Sequence, residues 1–106
     1  MTKMAYTDNE GKLVILNTRN DECLYSGQWV AGREQNRFDE LYLHKTKNGK
    51  IVFYLAHVTY WQGETNTISV LAENEIESWI ADYYSSLNEN AIKRLAELGF
   101  KLEETA

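Results

Sequence analysis

FDELYLHKTKNGKIVFYLAHVTYW, residues 38–61, sets two alternating runs of large apolar residues on either side of Asn48-Gly49. Asn-Gly between such runs is the strongest short hairpin signal, because both central residues of the favoured two-residue turn need positive φ. A two-residue loop makes Lys47 face Lys50, Thr46 face Ile51, His44 face Phe53, Tyr42 face Leu55 and Glu40 face His57. One face of the ribbon then carries Tyr42, His44, Phe53, Leu55 and His57, and the other Leu41, Leu43, Val52, Tyr54, Ala56 and Val58. A strand apolar on both sides is central and covered twice. Helices can take one face; the other needs a curled sheet, a second copy of the chain or a ligand.

Outward from the hairpin, short strand-like runs alternate with turn residues. Asp8-Asn9-Glu10-Gly11 separates a weak run at Lys3 to Thr7 from Leu13-Val14-Ile15-Leu16, and Asn17 to Asp21 leads into Glu22 to Ala31. Gly27 inside that third run suggests a bulge or a close backbone approach. Gly32 to Asn36 reads as a polar loop, and Gly63 to Asn66 precedes a short strand, Thr67 to Leu71. From Glu73 the period lengthens. Ile76, Trp79, Ile80, Tyr83, Tyr84 and Leu87 recur at helical spacing, with Asn74 and Glu77 as an expected capping pair. Trp79, Ile80 and Tyr83 are the expected core seam of this helix. Asn88 caps a second helix with the stripe Ile92, Leu95 and Leu98, Glu89 and Lys93 form an i,i+4 pair, and Gly99 stops it. Strands first and helices last predict an α+β fold: an antiparallel sheet of about five or six strands with two C-terminal helices packed on one face. The chain reads as one domain over 1–106, with a mostly β meander over 1–72 and a helical pair over 73–99.

The composition, 43% apolar and 25% charged over 106 residues, is enough for a packed core without metal or disulfide. Cys23 is the only cysteine, which excludes an internal disulfide and reads as cytosolic. Asp21 and Glu22 beside it raise a thiol pKa, so a buried or inert Cys23 is expected and not a reactive one. No run approaches the ~20 apolar residues of a membrane span. Net charge is −5, and residues 73 to 106 hold three basic against eight acidic side chains, whereas 1 to 72 hold eight of each. The excess negative field therefore belongs to the C-terminal third and repels nucleic acid there.

His44 and His57 with Asp39 and Glu40 resemble a ligand set, but the expected register separates the histidines by roughly 13 Å along the strand. One metal with imidazole bonds of ~2 Å cannot span that, so no metal or cofactor is assigned, and Glu40 with His57 reads as a structural cross-strand pair. The sequence lacks a Gly-rich phosphate loop, H-E-x-x-H, C-x-x-C and G-x-S-x-G, which leaves enzyme the least supported class. Lys45, Lys47 and Lys50 at the hairpin tip, with Arg33 and Arg37, could contact phosphate, although lysines there also discourage edge-to-edge pairing. The acids Glu73, Glu75, Glu77, Asp82, Glu89 and Glu97 could imitate a nucleic-acid backbone, or simply solvate their helices.

Residues 40–50, Ile68 to Leu71 and Glu75 to Ile80 together resemble a pattern in small, uncharacterised bacterial and mobile-element proteins, a Lys-rich hairpin leading to a strand and an acidic helix with a Trp. The resemblance implies a small bacterial accessory protein and names no active site. The reading that follows is a non-catalytic binding or regulatory module of a bacterial cytoplasm that self-associates or contacts another protein. Leu41, Leu43, Val52, Tyr54, Val58 and Trp61 are its expected contact surface. A nucleic-acid binder using the basic hairpin is the second reading, and an acidic mimic the third.

Overall fold

The computed structural model describes residues 3–7, 10–47 and 49–100, so the expected turn residues Asp8, Asn9 and Asn48 lie outside the described residues. In chain order the elements are β1 (Lys3–Thr7), β2 (Leu13–Asn17), β3 (Glu22–Ser26), β4 (Trp29–Val30), β5 (Arg33–Glu34), β6 (Arg37–Lys45), β7 (Ile51–Thr59), β8 (Thr67–Leu71), α1 (Glu73–Tyr83) and α2 (Glu89–Glu97). A 3-10 turn, Tyr84–Ser86, joins the helices. The fold is α+β and every described strand pair is antiparallel. The strands do not form one sheet of five or six. The main sheet has four, in the order β3-β6-β7-β8, while β1 with β2 and β4 with β5 make separate two-stranded ribbons.

The hairpin forms one residue out of the expected register. Lys45 faces Ile51, Leu43 faces Phe53, Tyr42 faces Tyr54, Leu41 faces Leu55 and Asp39 faces His57. The cause lies at the turn. Thr46 N–H donates to Lys50 O at 2.8 Å, Gly49 N–H donates to Thr46 O at 2.9 Å, and Thr46 Oγ1 accepts from Lys50 N–H at 3.0 Å. These bonds close a three-residue connection over 47–49 with Gly49 at φ 84°, the bulged alternative to a two-residue turn. Within each strand the alternation is as expected, but the slip pairs the faces the other way round. Leu41, Leu43, Phe53 and Leu55 now share one face; Tyr42, His44, Val52 and Tyr54 share the other.

Both faces are filled by this chain. One buried cluster joins Leu24, Leu41, Leu43 and Phe53 to Ile76, Trp79 and Ile80 of α1, Leu87, and Ala91 and Leu95 of α2. The second joins Tyr42, Val52, Tyr54 and Ala56 to Val14 and Leu16 of β2. The N-terminal ribbon therefore lies against the main sheet and does not extend it, which accounts for the strand count. Leu13 and Ile15 alternate with Val14 and Leu16 and stay exposed on the ribbon's outer side.

Local chemistry explains most element ends. Leu24 is the extra residue of a bulge between Cys23 and Tyr25, which turns it into the core. Gly27 marks a close approach: a Cβ there would sit 3.3 Å from both Asp39 O and Tyr25 Oη. Asn88 Oδ1 accepts from Ala91 N–H at 2.8 Å as an N-cap, and Gly99 at φ 99° follows α2. The expected Asn74–Glu77 cap of α1 is displaced. Ala72 is the N-cap residue, and Glu75 Oε1 accepts its N–H at 2.9 Å. Tyr83, expected in the core, lies at its margin with its ring stacked on Trp79 at 4.7 Å.

The segment expected to be a polar loop after Val30 is partly the β4–β5 ribbon, in which Trp29 faces Glu34 and Val30 faces Arg33. Its turn is Ala31-Gly32, with φ 52° and 79°. Positive φ at both residues is the two-residue hairpin geometry, but Ala carries a Cβ penalty there of about 1–2 kcal/mol. Ala31→Asn should therefore raise the unfolding free energy by about 0.5–1 kcal/mol, read as a higher urea midpoint with an unchanged m-value.

Candidate functional site

The structure disperses most of the expected contact surface. Leu41, Leu43, Val52 and Tyr54 are buried in the two clusters and offer nothing to a partner. The chain's own helices and N-terminal ribbon occupy the space in which a partner was expected. Val58 is half-buried at the edge of the second cluster, and Trp61 is 53% exposed.

Around Trp61 the chain builds an aromatic end to the sheet. Tyr60 N–H donates to Asn36 O at 2.8 Å, Trp61 N–H to Thr59 Oγ1 at 3.2 Å and Glu64 N–H to Trp61 O at 3.2 Å, which folds residues 61–64 back as a tight turn. Arg37 makes a two-pronged ion pair with Glu64, and its guanidinium carbon lies 4.7 Å from the centre of the Trp61 ring. This pairing holds the Glu64 carboxyl below its usual range, with Thr59 Oγ1 as a second donor. Phe38 meets Tyr60 edge-on at 5.7 Å. Gln28 Nε2 donates to Tyr60 Oη at 3.4 Å and to Glu34 Oε1 at 3.1 Å, tying the β4–β5 ribbon to the same end. Trp29 (62%), Tyr60 (56%) and Val30 (53%) are exposed here, and Tyr60 also lines a groove of about 410 Å³ in which Phe38, Tyr42 and Val58 meet Arg19, Gln28 and Glu40. Sequence reasoning identified Trp61 and Val58 as contact residues but missed Trp29, because the β4–β5 ribbon has no Asn-Gly signal.

The basic residues do not form one patch. Lys45, Lys47 and Lys50 lie at or beside the hairpin tip, whereas Arg37 begins β6 and is engaged by Glu64 and Trp61. Lys45 and Arg37 are the two ends of β6, roughly 27 Å apart at strand rise. Arg33, in the β4–β5 ribbon, belongs with the far end. Of the acidic residues on the helices, Glu75 accepts the Ala72 N–H, and Glu97 pairs with Arg94, which also grips Glu22 at 2.9 Å.

The two histidines face opposite sides of the sheet and take different partners. His44 Nδ1 lies 2.8 Å from Asp21 Oδ1; Asp21 Oδ2 accepts from Tyr54 Oη at 2.6 Å and from Asn17 N–H at 3.0 Å. Burial, then the bond to Asp21, pushes the Tyr54 hydroxyl pKa far above the ordinary tyrosine range; burial and Glu40 do the same to Tyr42. Tyr42 and Tyr54 stack at 5.4 Å, and Tyr42 Oη donates to Glu40 Oε1 at 2.9 Å. Cys23 is exposed as a residue, so the buried alternative does not hold. Its thiol pKa is nonetheless raised, by desolvation first and then by Glu40, not by the sequence neighbours expected to do it.

His57 pairs with Asp39, its neighbour in the observed register, and not with Glu40, which the expected register set against it: Nδ1 lies 2.7 Å from Asp39 Oδ1. Its other nitrogen, Nε2, lies 2.8 Å from Ser69 Oγ on β8. Asp39, His57 and Ser69 are thus a continuous chain across β6, β7 and β8. Ser69 was not among the residues singled out from the sequence. The β7–β8 register depends on the irregular link 60–66, and no tight-turn rule fixes it.

Comparison with protein-family models, with curated proteins and with solved structures finds no match for this chain. No helix among the described residues is long and apolar enough to cross a membrane.

Proposed function

We propose that this chain is a binding module that acts by protein–protein contact, pairing with a second copy of itself through the aromatic end of the sheet. The observation that carries the reading is the gathering of exposed Trp29, Val30, Tyr60 and Trp61 at one end, held in place by Arg37, Gln28 and the 61–64 turn. Trp, Tyr and Arg are the residues that dominate interface energies, and ordering them in advance lowers the cost of association. In this reading α1 and α2 close the Leu41–Leu43–Phe53 face, the β1–β2 ribbon closes the other, and the aromatic end is left for a partner.

Charge favours a second copy as that partner. The excess acid lies in residues 73 to 106, so most approaches of two copies are repulsive. The aromatic end carries both signs, Arg33 and Arg37 with Glu34 and Glu64, so it lacks the one-sided repulsion of the C-terminal third, and off a two-fold axis an Arg of one copy can meet a Glu of the other. Sedimentation should show a concentration-dependent dimer with Kd near the micromolar range, about −8 kcal/mol. Trp61→Ala with Trp29→Ala should weaken it by at least about 30-fold, or 2 kcal/mol, at unchanged thermal stability. A wild-type chain that stays monomeric at about a hundred times that concentration sinks the proposal.

A further inference from the structure

Beyond contact, the geometry points to a second activity: we propose that Ser69, His57 and Asp39 form an acyl-transfer site in which Ser69 is the nucleophile.

The directions of the hydrogen bonds support this assignment. An ionised carboxylate only accepts, so His57 must present its N–H at Nδ1 to Asp39, 2.7 Å away. In the neutral imidazole that leaves Nε2 as an acceptor, and it lies 2.8 Å from Ser69 Oγ. Asp39 thereby selects the tautomer in which His57 can take the Ser69 proton. Nucleophile, base and orienting acid are in hydrogen-bond reach in the order such chemistry needs. The register holds them: Asp39 faces His57 across β6–β7, and Ser69 faces Leu55, two residues from His57 on the same side of β7. The site is also open. Ser69 is exposed, the His57 and Asp39 side chains are 38% and 43% accessible, and a cleft of about 520 Å³ opens beside His57 and Asp39, lined also by Thr59, Glu64, Thr65 and Thr67.

In the reaction, Ser69 Oγ adds to an acyl carbonyl carbon while its proton passes to His57 Nε2, and the carbonyl electron pair moves onto oxygen. Collapse of that adduct breaks the bond to the leaving group, which departs with the proton from His57 and leaves Ser69 acylated. Water then attacks the acyl carbon with His57 again as base, releasing a carboxylic acid and restoring Ser69. These three side chains provide base-assisted attack. A dedicated oxyanion donor is worth about a further 10²–10³ in rate, so the fitting substrates are acyl donors with good leaving groups, aryl esters and thioesters.

The test is acetylation of the full chain by p-nitrophenyl acetate, with release of nitrophenolate followed by absorbance and the adduct mapped by peptide mass spectrometry. The expected result is an acetyl group on Ser69 that turns over with time. Ser69→Ala should abolish that adduct, and His57→Gln should slow its formation by at least about 100-fold, the range of a positioned general base. Asp39→Asn should slow it too, because Asn can donate to Nδ1 and favour the wrong tautomer. Near-UV circular dichroism of each variant reports whether the fold is intact. An adduct found only on lysines, or Ser69 acetylated as fast in His57→Gln as in wild type, overturns the assignment.

Discussion

Leu16→Ala should cost about 2–5 kcal/mol of stability, while Leu13→Ala, three residues earlier on the same strand, should stay within about 0.5 kcal/mol. Leu16 is fully buried against Tyr42, Val52, Tyr54 and Ala56, whereas Leu13 is 69% exposed on the ribbon's outer side. Truncating Leu16 opens a cavity whose walls are held by two central strands, β6 and β7, so little of it can close. For a chain of this size the loss corresponds to a fall in Tm of at least about 8 °C. The comparison decides what covers the second face of the hairpin. If that face were filled by a partner and the N-terminal ribbon were a loose appendage, Leu16→Ala would be as mild as Leu13→Ala. Thermal unfolding of the two variants followed by far-UV circular dichroism checks it.

The question of the second face was posed correctly by the sequence and answered only by the fold. The alternation of Leu41, Leu43, Val52 and Tyr54 is local, and it correctly marked two apolar faces on β6 and β7. Which of those residues share a face is not local. It depends on whether the turn holds two residues or three, and Thr46 tips the balance by accepting the Lys50 N–H on its side-chain oxygen. One residue of slip moved His57 from Glu40 to Asp39, while its contact with Ser69 rests on the separate β7–β8 register, which no turn signal sets. The helices were easier to read, because their signals lie within a few residues: the Asn88 cap, the Ile76–Trp79–Ile80 stripe and the Gly99 stop all hold. The aromatic end was half legible. Trp61 stood out at a strand end, but its setting by Arg37 depends on Glu64, 27 residues further along the chain. Long-range pairing of that kind leaves no periodic trace.

The same distinction bears on nucleic acid. Five basic residues close in sequence suggested one footprint, yet β6 carries its two ends roughly 27 Å apart and Arg37 is already held by Glu64. Any phosphate contact at the tip rests on three lysines alone, and salt would weaken it with a correspondingly shallow slope.

Asp21→Ala should be among the most damaging single changes on the polar side of the sheet, at about 3–5 kcal/mol. The Asp21 carboxylate accepts from Tyr54 Oη, from the Asn17 N–H and from His44 Nδ1, and so ties the end of β2 to β6 and β7. Its removal strands three donors, one of them on the fully buried Tyr54, and an unsatisfied buried donor costs about 1–3 kcal/mol. Tyr54→Phe removes only one of those donors and leaves Asp21 its other two partners, so it should cost about 1–2 kcal/mol. Because the pair shares one bond, the double variant should fall short of the sum of the two single losses. The bond also has an alkaline signature. The Tyr54 pKa is raised in the folded chain, so the unfolded chain gives up this proton first; the stabilisation is complete below an ordinary tyrosine pKa of about 10 and is lost as pH rises beyond it. Urea midpoints of wild type should therefore drop as pH rises from about 9 to 11, and those of Tyr54→Phe, which lacks this proton, should drop less. Equal drops in the two proteins would mean that other groups carry the alkaline loss and that the Tyr54 proton does not hold the fold.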